Sequence, residues 1–358
     1  MNWSRVRWLL IAVLCLTDLL LGVLLWRNYR GENTVSRAAL EDAAALLAEA
    51  DVRLDPDVVP TEVIQDYVFR VPVTDEAYRT VFEGLVGAKV TSAYLLPASS
   101  GTSLLFENGD SVEYYHNLYL SYARSGADRA QLSALTEAFL SGTSEMTALE
   151  RDAAETDLAA AEDFLAALTP QETAGARLRP FFEGIYASPS EPTLRLAVFR
   201  EQVSYRAGSR AAADINDTRV LVLVKNGTVL YLSGTWVPFL PDETYSIRKL
   251  DQLNILFSER SRHLALGGDD AAGDPVGGHP AQHTDAGCEI VSMERLYYML
   301  WDDAGTLYLR PSWMMGYLLE NEAHTPLYRK VLCDGVTGGV VRQEEMLIPD
   351  GQISDADT

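Results

Sequence analysis

The chain has 358 residues and a formal net charge of −22, with lysine only at Lys89, Lys225, Lys249 and Lys330. That charge repels nucleic acid and anionic lipid surfaces, which excludes nucleic acid as a partner. A hydrophobic share of 47% with 9% aromatics indicates packed cores rather than disorder, with length for two ordinary domains.

After a seven-residue head (1–7), Trp8 to Trp26 reads WLLIAVLCLTDLLLGVLLW. As a helix this run spans roughly 28 Å, close to the ~30 Å hydrocarbon core of a bilayer. Tryptophan stands at each end, and Arg5, Arg7, Arg27 and Arg30 flank it, as at a membrane boundary. A cleaved signal peptide is the competing reading, but the run is long for one and RNYRGEN offers no small-residue cleavage site. The expectation is a single-pass membrane protein in the lipid bilayer, with the short head cytoplasmic and the bulk of the chain extracellular. Asp18 lies near the centre of the span, where a charge costs ~2.5–3.5 kcal/mol. Either it is protonated and bonded within its own helix or to Thr17, or it faces a polar group on another membrane helix. Gly22, on the same face, would permit close approach. Asp18, Thr17 and Gly22 are therefore candidate partner-contact residues.

A polar linker (27–33) leads to residues 35–50, an alanine-rich helix with Thr34 or Ser36 as its cap. VRLDPDVVP breaks the period, residues 66–73 read as a strand, and 75–87 as a helix ended by Gly87. TSAYLLP and SLLFENGDSVEYYHNLYLSY are strand-like, with ENGDS as a hairpin turn. DRAQLSALTEAFLSG is helical. A second helix runs from Thr147 to Leu168, with Leu158, Ala161, Phe164, Leu165 and Leu168 as its buried face. Beyond it, KNG joins Leu221–Val224 to Val229–Leu232 in a hairpin, and SIRKLDQLNILFSER forms a helix. Residues 267–287 read as an acidic, Gly-rich loop. CEIVSMERLYYMLW and GTLYLRPSWMMGYLL are strands joined at DDAG, PLYRKVLCD is a last strand running into GVTGG, and 349–358 is a polar tail. The pattern gives an α+β fold: a transmembrane helix, a membrane-proximal lobe over 34–147 and a membrane-distal lobe over 148–348. Each lobe is mainly antiparallel sheet with packed helices. A shared order of alanine-rich helix, break and hairpins hints at a faint duplication.

Reactive groups are sparse. Cys288 and Cys333 are either lone thiols or a pair. His279 and His283 lie four apart amid Asp269, Asp270, Asp274 and Asp285, but Gly-Gly-His-Pro cannot hold the helix a catalytic metal pair needs, so no metal is expected. Glu150, Asp152, Glu155, Glu162 and Asp163 have the spacing of a solvated helix face. Tyr297, Tyr298, Trp301, Tyr308 and Trp313 read as sheet packing or, less simply, a ligand platform. GVTGG at 335–339 lacks the lysine of a phosphate loop, and no nucleophile-elbow, zinc-protease or dinucleotide motif occurs. The sequence assembles no active site and implies no cofactor, so the chain reads as a non-enzyme.

Several blocks resemble the YycI-type proteins of the YycH/YycI family. MNWSRVRWLLIAVLCLTDLLLGVLL is similar to their short Trp-containing head and leucine-rich span with a polar residue at its middle. AALLAEADVRLDPDVVP is similar to the element that follows. FREQVSYR near 199–206 resembles a block in which glutamine precedes an aromatic-rich strand. The closing stretch from MERLYYMLW resembles the family's end, with Pro311 and Trp313 on one strand and Thr337 and Gly338 in the turn after the next. The alanine-rich middle and the 267–287 loop depart from the pattern. The resemblance implies a non-enzymatic regulator of the cell-wall-sensing histidine kinase WalK (YycG) in Gram-positive bacteria, acting with a YycH-like protein through membrane-helix contacts. Asp18 stands at the position of the family's mid-membrane polar residue. The alternatives are an extracytoplasmic binding module for cell-wall fragments or peptides, using a cleft between lobes, and a hydrolase with an unrecognised site.

Overall fold

The computed structural model describes residues 34–62, 67–71, 73–96, 101–168, 176–205, 212–237, 243–246, 252–267, 288–320, 326–335 and 337–347. The helices are α1 (Arg37–Ala48), α2 (Asp75–Val86), α3 (Arg129–Leu140), α4 (Glu155–Leu168) and α5 (Gln252–Gly267). The strands up to α4 are β1 (Val52–Leu54), β2 (Tyr67–Val71), β3 (Val90–Leu95), β4 (Gly101–Phe106), β5 (Ser111–Tyr115), β6 (Tyr119–Ala123) and β7 (Thr147–Leu149). Next come β8 (Ala176–Ala187), β9 (Leu194–Tyr205), β10 (Ala213–Ile215), β11 (Arg219–Lys225), β12 (Thr228–Thr235) and β13 (Glu243–Ser246). Last are β14 (Cys288–Trp301), β15 (Leu307–Glu320), β16 (Pro326–Asp334) and β17 (Val340–Leu347).

Two compact units form, and they interleave along the chain. The first draws on the segments up to Asp66, Ile247–Glu294 and from Ser312 on; the second on Tyr67–Ser246 and Arg295–Pro311. The sequence suggests a division near 147/148. Strand pairings between segments far apart in the chain build each unit instead.

In the first unit, Ser36 caps α1 by accepting from the Ala39 N–H at 3.2 Å. α1 buries Leu40, Ala43 and Leu47, an i, i+3, i+7 stripe. These pack with Ile255 and Leu256 of α5 and with Ile290, Trp313, Met315 and Val331. β1 lies parallel to the start of β14, Val52 opposite Cys288, and β15, β16 and β17 pair antiparallel in succession.

The second unit is built on the antiparallel succession β3–β4–β5–β6–β12–β11–β9–β8–β7. β10 pairs with the far part of β9 and runs parallel to β14. One sheet face meets α2 and α4, so Tyr78, Phe82, Leu158, Ala161 and Leu165 share a core with Phe199, Val220, Val222 and Trp236. Burying one such leucine contributes about 1.5–3 kcal/mol. On the opposite face, Leu132 of α3 covers Leu194, Leu196, Leu221, Leu223 and Tyr231.

Four expectations need correction. The sheet is mixed, because β1 and β10 both run parallel to β14, so the mainly antiparallel α+β description fails. The single-pass membrane placement, with a cytoplasmic head and an extracellular bulk, is not supported either. Among the described residues no helix is long and apolar enough to cross a membrane. The longest, α5, has 16 residues and carries Glu259, Arg260 and Arg262, too short and too charged for ~30 Å of hydrocarbon. The run 8–26, with Thr17, Asp18 and Gly22, lies outside the described residues. Thirdly, PLYRKVLCD is not the last strand, since β17 follows and pairs with it. The helix expected over 147–168 also starts late. Thr147–Leu149 pairs with β8, Glu150 is extended, and a 3-10 turn precedes α4.

Gly234, at φ 143°, sits where a Cβ would stand 2.1 Å from the Arg219 carbonyl oxygen; at Gly84, inside α2, a Cβ would meet nothing within 4 Å. Gly84→Ala is expected to raise stability in urea unfolding by about 0.5–1 kcal/mol, through the helix preference of alanine. Gly234→Ala is expected to lower it by about 3 kcal/mol, the upper range for overpacking. Equal shifts from the two substitutions would contradict this account of the β11–β12 contact.

Candidate functional site

Residues 199–202 of β9 read Phe-Arg-Glu-Gln, and a strand sends neighbours to opposite faces. Phe199 and Glu201 point into the core, while Arg200 and Gln202 join the polar end of the opposite face, beyond the reach of α3. Register brings others beside them: Phe181 is paired with Arg200, Arg179 with Gln202, and Asp214 with Gln202. The β8 bulge between Phe182 and Gly184 turns Glu183 onto the same face. One step beyond the Val220–Phe199 pair, Arg219 comes beside Arg200.

These side chains are bonded to one another. Arg200 Nε stands 2.6 Å from Glu183 Oε1, and its Nη1 donates to Asp214 Oδ2 at 2.9 Å. Arg219 Nε donates to Glu183 Oε2 at 3.1 Å, Gln202 Nε2 to Asp214 Oδ1 at 2.6 Å, and Arg179 Nη2 to Gln202 Oε1 at 3.4 Å. The Arg200 guanidinium lies 6.0 Å from the centre of the Phe181 ring. Side-chain exposure is 50% for Arg219 and 42% for Arg200, so the face meets solvent. Among the described residues, Nη1 and Nη2 of Arg219 have no further partner, which leaves its terminal fork open. Three guanidiniums stand against two carboxylates, a local balance of plus one in a chain of net charge −22. Guanidinium groups neither accept nor release protons at ordinary pH. Through its guanidiniums the face can recognise an anion.

Glu201, 0% exposed, goes the other way. Its Oε2 accepts from the Val237 N–H at 2.9 Å, and among the described residues Oε1 has no hydrogen-bond partner. Desolvation raises its pKa well above the ordinary 4.5, opposed by the Val237 bond. Burial therefore favours its neutral form. The Glu201 N–H donates to Thr218 Oγ1, whose own proton goes to the Ile215 carbonyl, so the β9 backbone at this point is fixed.

The first unit holds a different buried acid. Glu259 Oε2 accepts from Arg262 Nη2 at 2.6 Å and from Tyr317 Oη at 2.8 Å, and Cys333 Sγ lies 3.8 Å from Oε1. Burial first, then the Glu259 charge, push the Cys333 thiol up to about 12 and Tyr317 well above its ordinary value. A thiol in that state is no nucleophile. Arg262 keeps its charge, because Glu259 outweighs the effect of burial. The cluster is a clamp joining α5 to β15 and β16. Cys288 and Cys333 are both buried and are not joined in a disulfide, which decides between the readings left open.

The candidates drawn from the sequence scatter. Thr17, Asp18, Gly22, His279, His283 and His324 lie outside the described residues. Exposed His116 follows β5 in a turn, and among the described residues no group of histidine, cysteine or carboxylate side chains could hold a metal. Glu162 pairs with Arg151 at 3.1 Å on the surface. The aromatic group does not form one platform: Tyr297 belongs to the core of the second unit, against Phe69, and Trp313 to that of the first. Motif and spacing do not reveal the arginine face. Its one signal is the alternation in FREQ, with apolar or neutralised residues inward and hydrogen-bonding ones outward.

Comparison with known proteins adds little. No family model matches the chain, and no curated protein matches it. A crystal structure of an uncharacterized protein from Eubacterium rectale ATCC 33656 is similar over 84% of this chain and 98% of its own, at 11% identity and a TM-score of 0.38.

With a folded-state pKa above 4.5, Glu201 keeps a proton that the unfolded chain has released. Stability therefore falls as pH rises from about 4.5 toward the folded-state value, by up to about 1.4 kcal/mol per pH unit, and levels off above it. Urea unfolding measured from pH 4.5 upward is expected to show this fall in the wild type and to lose it in Glu201→Gln. A variant that keeps the wild-type slope would show that Glu201 is not the group responsible.

Proposed function

We propose that the chain is a non-enzymatic regulator that acts by holding another protein, with the arginine face of the second unit as its contact surface. The single observation that carries this is the state of that face: exposed guanidiniums already oriented by Glu183, Asp214 and Gln202, with the Arg219 fork still open. Preset side chains lose little freedom on binding, which favours recognition. The buried reactive groups do not compete for the role. Glu201 is locked to the Val237 backbone, and Glu259 to Arg262 and Tyr317. For partners, the resemblance of the opening, FREQVSYR and closing blocks to YycI-type proteins supports a sensor histidine kinase and a YycH-like protein.

The test is chemical cross-linking in the native host, followed by capture of the tagged full-length chain. The wild type is expected to bring down the sensor kinase. Arg179→Glu with Arg219→Glu is expected to reduce recovery by about 10-fold, the loss of roughly 1.4 kcal/mol of charge-assisted contact. No kinase with the wild type would end the regulatory reading. Undiminished capture by the double variant would place the contact elsewhere.

A further inference from the structure

We infer that the arginine face takes an extended, acidic segment of a partner protein, with carboxylates on Arg219 and Arg179 and an apolar side chain over Phe181. The inference rests on the reading of this face as a contact surface and names what it contacts.

Among the described residues, the face is an uncovered end of a sheet whose other end lies under α3. Its lattice of side chains follows from strand geometry, with neighbouring strands ~4.8 Å apart and same-face residues ~6.8 Å apart along a strand. Arg179 and Arg219 are then two strands and one same-face step apart, about 12 Å on the diagonal. Carboxylates at positions i and i+4 of an extended chain stand about 13 Å apart, so both ends meet a guanidinium. The residue midway between them, on the same side, arrives between Arg200 and Gln202, about 6 Å from Phe181. Phe181 is 42% exposed there and offers the apolar contact.

Charge selects the class of ligand. A local balance of plus one suits single carboxylates, each taken bidentately by a planar fork, and is too weak for a doubly charged phosphate. Glu183 and Asp214 orient the arginines but also compete with an incoming carboxylate, so removing one should strengthen binding.

The experiment is fluorescence anisotropy on the full chain with a labelled peptide built on Glu-Thr-Val-Thr-Glu, and a matched peptide with lysine for glutamate. The acidic peptide is expected to bind and the lysine peptide not to. Arg219→Glu is expected to weaken binding about 10-fold or more, and Asp214→Asn to tighten it about 3-fold. The gain from Asp214→Asn cannot come from misfolding. Absent binding of the acidic peptide, wild-type affinity in Arg219→Glu, or no gain in Asp214→Asn would each overturn the inference. Displacement by millimolar inorganic phosphate would reassign the face to small anions. Self-association of the chain that is abolished by Arg219→Glu, without peptide binding, would make a second copy the occupant. If the peptide binds as expected but the kinase is never captured, the regulatory reading falls and this inference stands. The reverse pair of results removes this inference alone.

Discussion

The pleat of β9 is the constraint on which the second unit depends. Its period of two commits Phe199, Glu201 and Val203 to the core and Arg200 and Gln202 to the opposite face. A register slip of one residue would bury a guanidinium and expose Phe199, so the sheet has essentially one way to pair here. The same strand thereby supplies the middle of the hydrophobic core and the middle of the arginine face. Its neighbours β8, β10 and β11 are set by pairing to it, and they bring Arg179, Asp214 and Arg219 to that face.

Two buried acids are accommodated by opposite means. Glu201 lies among apolar side chains with one backbone donor, and burial favours its neutral form. Glu259 keeps company with Arg262, Tyr317 and Cys333, and donors compensate its burial. The difference is one of supply. A helix can present an arginine three residues on at the same face, as α5 does, whereas a strand sends its next residue away. Buried ion pairs contribute little net stability, yet breaking one costs about 3–5 kcal/mol, so the clamp resists change more than it strengthens the fold.

Local features were legible in the sequence. The hairpin at KNG forms with Asn226 and Gly227 both at positive φ, as a type I′ turn needs, and Gly87 ends α2 in the left-handed region. The α4 face of Leu158, Ala161, Leu165 and Leu168 is buried as periodicity indicates. Pairings between distant segments were not legible. Val52 meets Cys288 and Asp214 meets Leu296, and neither short strand carries a mark of its partner. The two parallel pairings made the sheet mixed and interleaved the units. The arginine face was hidden for a related reason: its residues come from four strands that are brought together only by pairing.

The claim that one strand serves core and contact face is tested most directly at Glu201. The infrared spectrum of the folded wild type at neutral pH, minus that of Glu201→Gln, should contain the carbonyl band of a protonated carboxyl group. That band would mean a neutral acid in the core, with Arg200 and Gln202 turned outward by the pleat. A difference spectrum showing only an ionised carboxylate would mean that Glu201 reaches solvent or a cation. The face assignment of β9, and with it the arginine surface, would then be wrong.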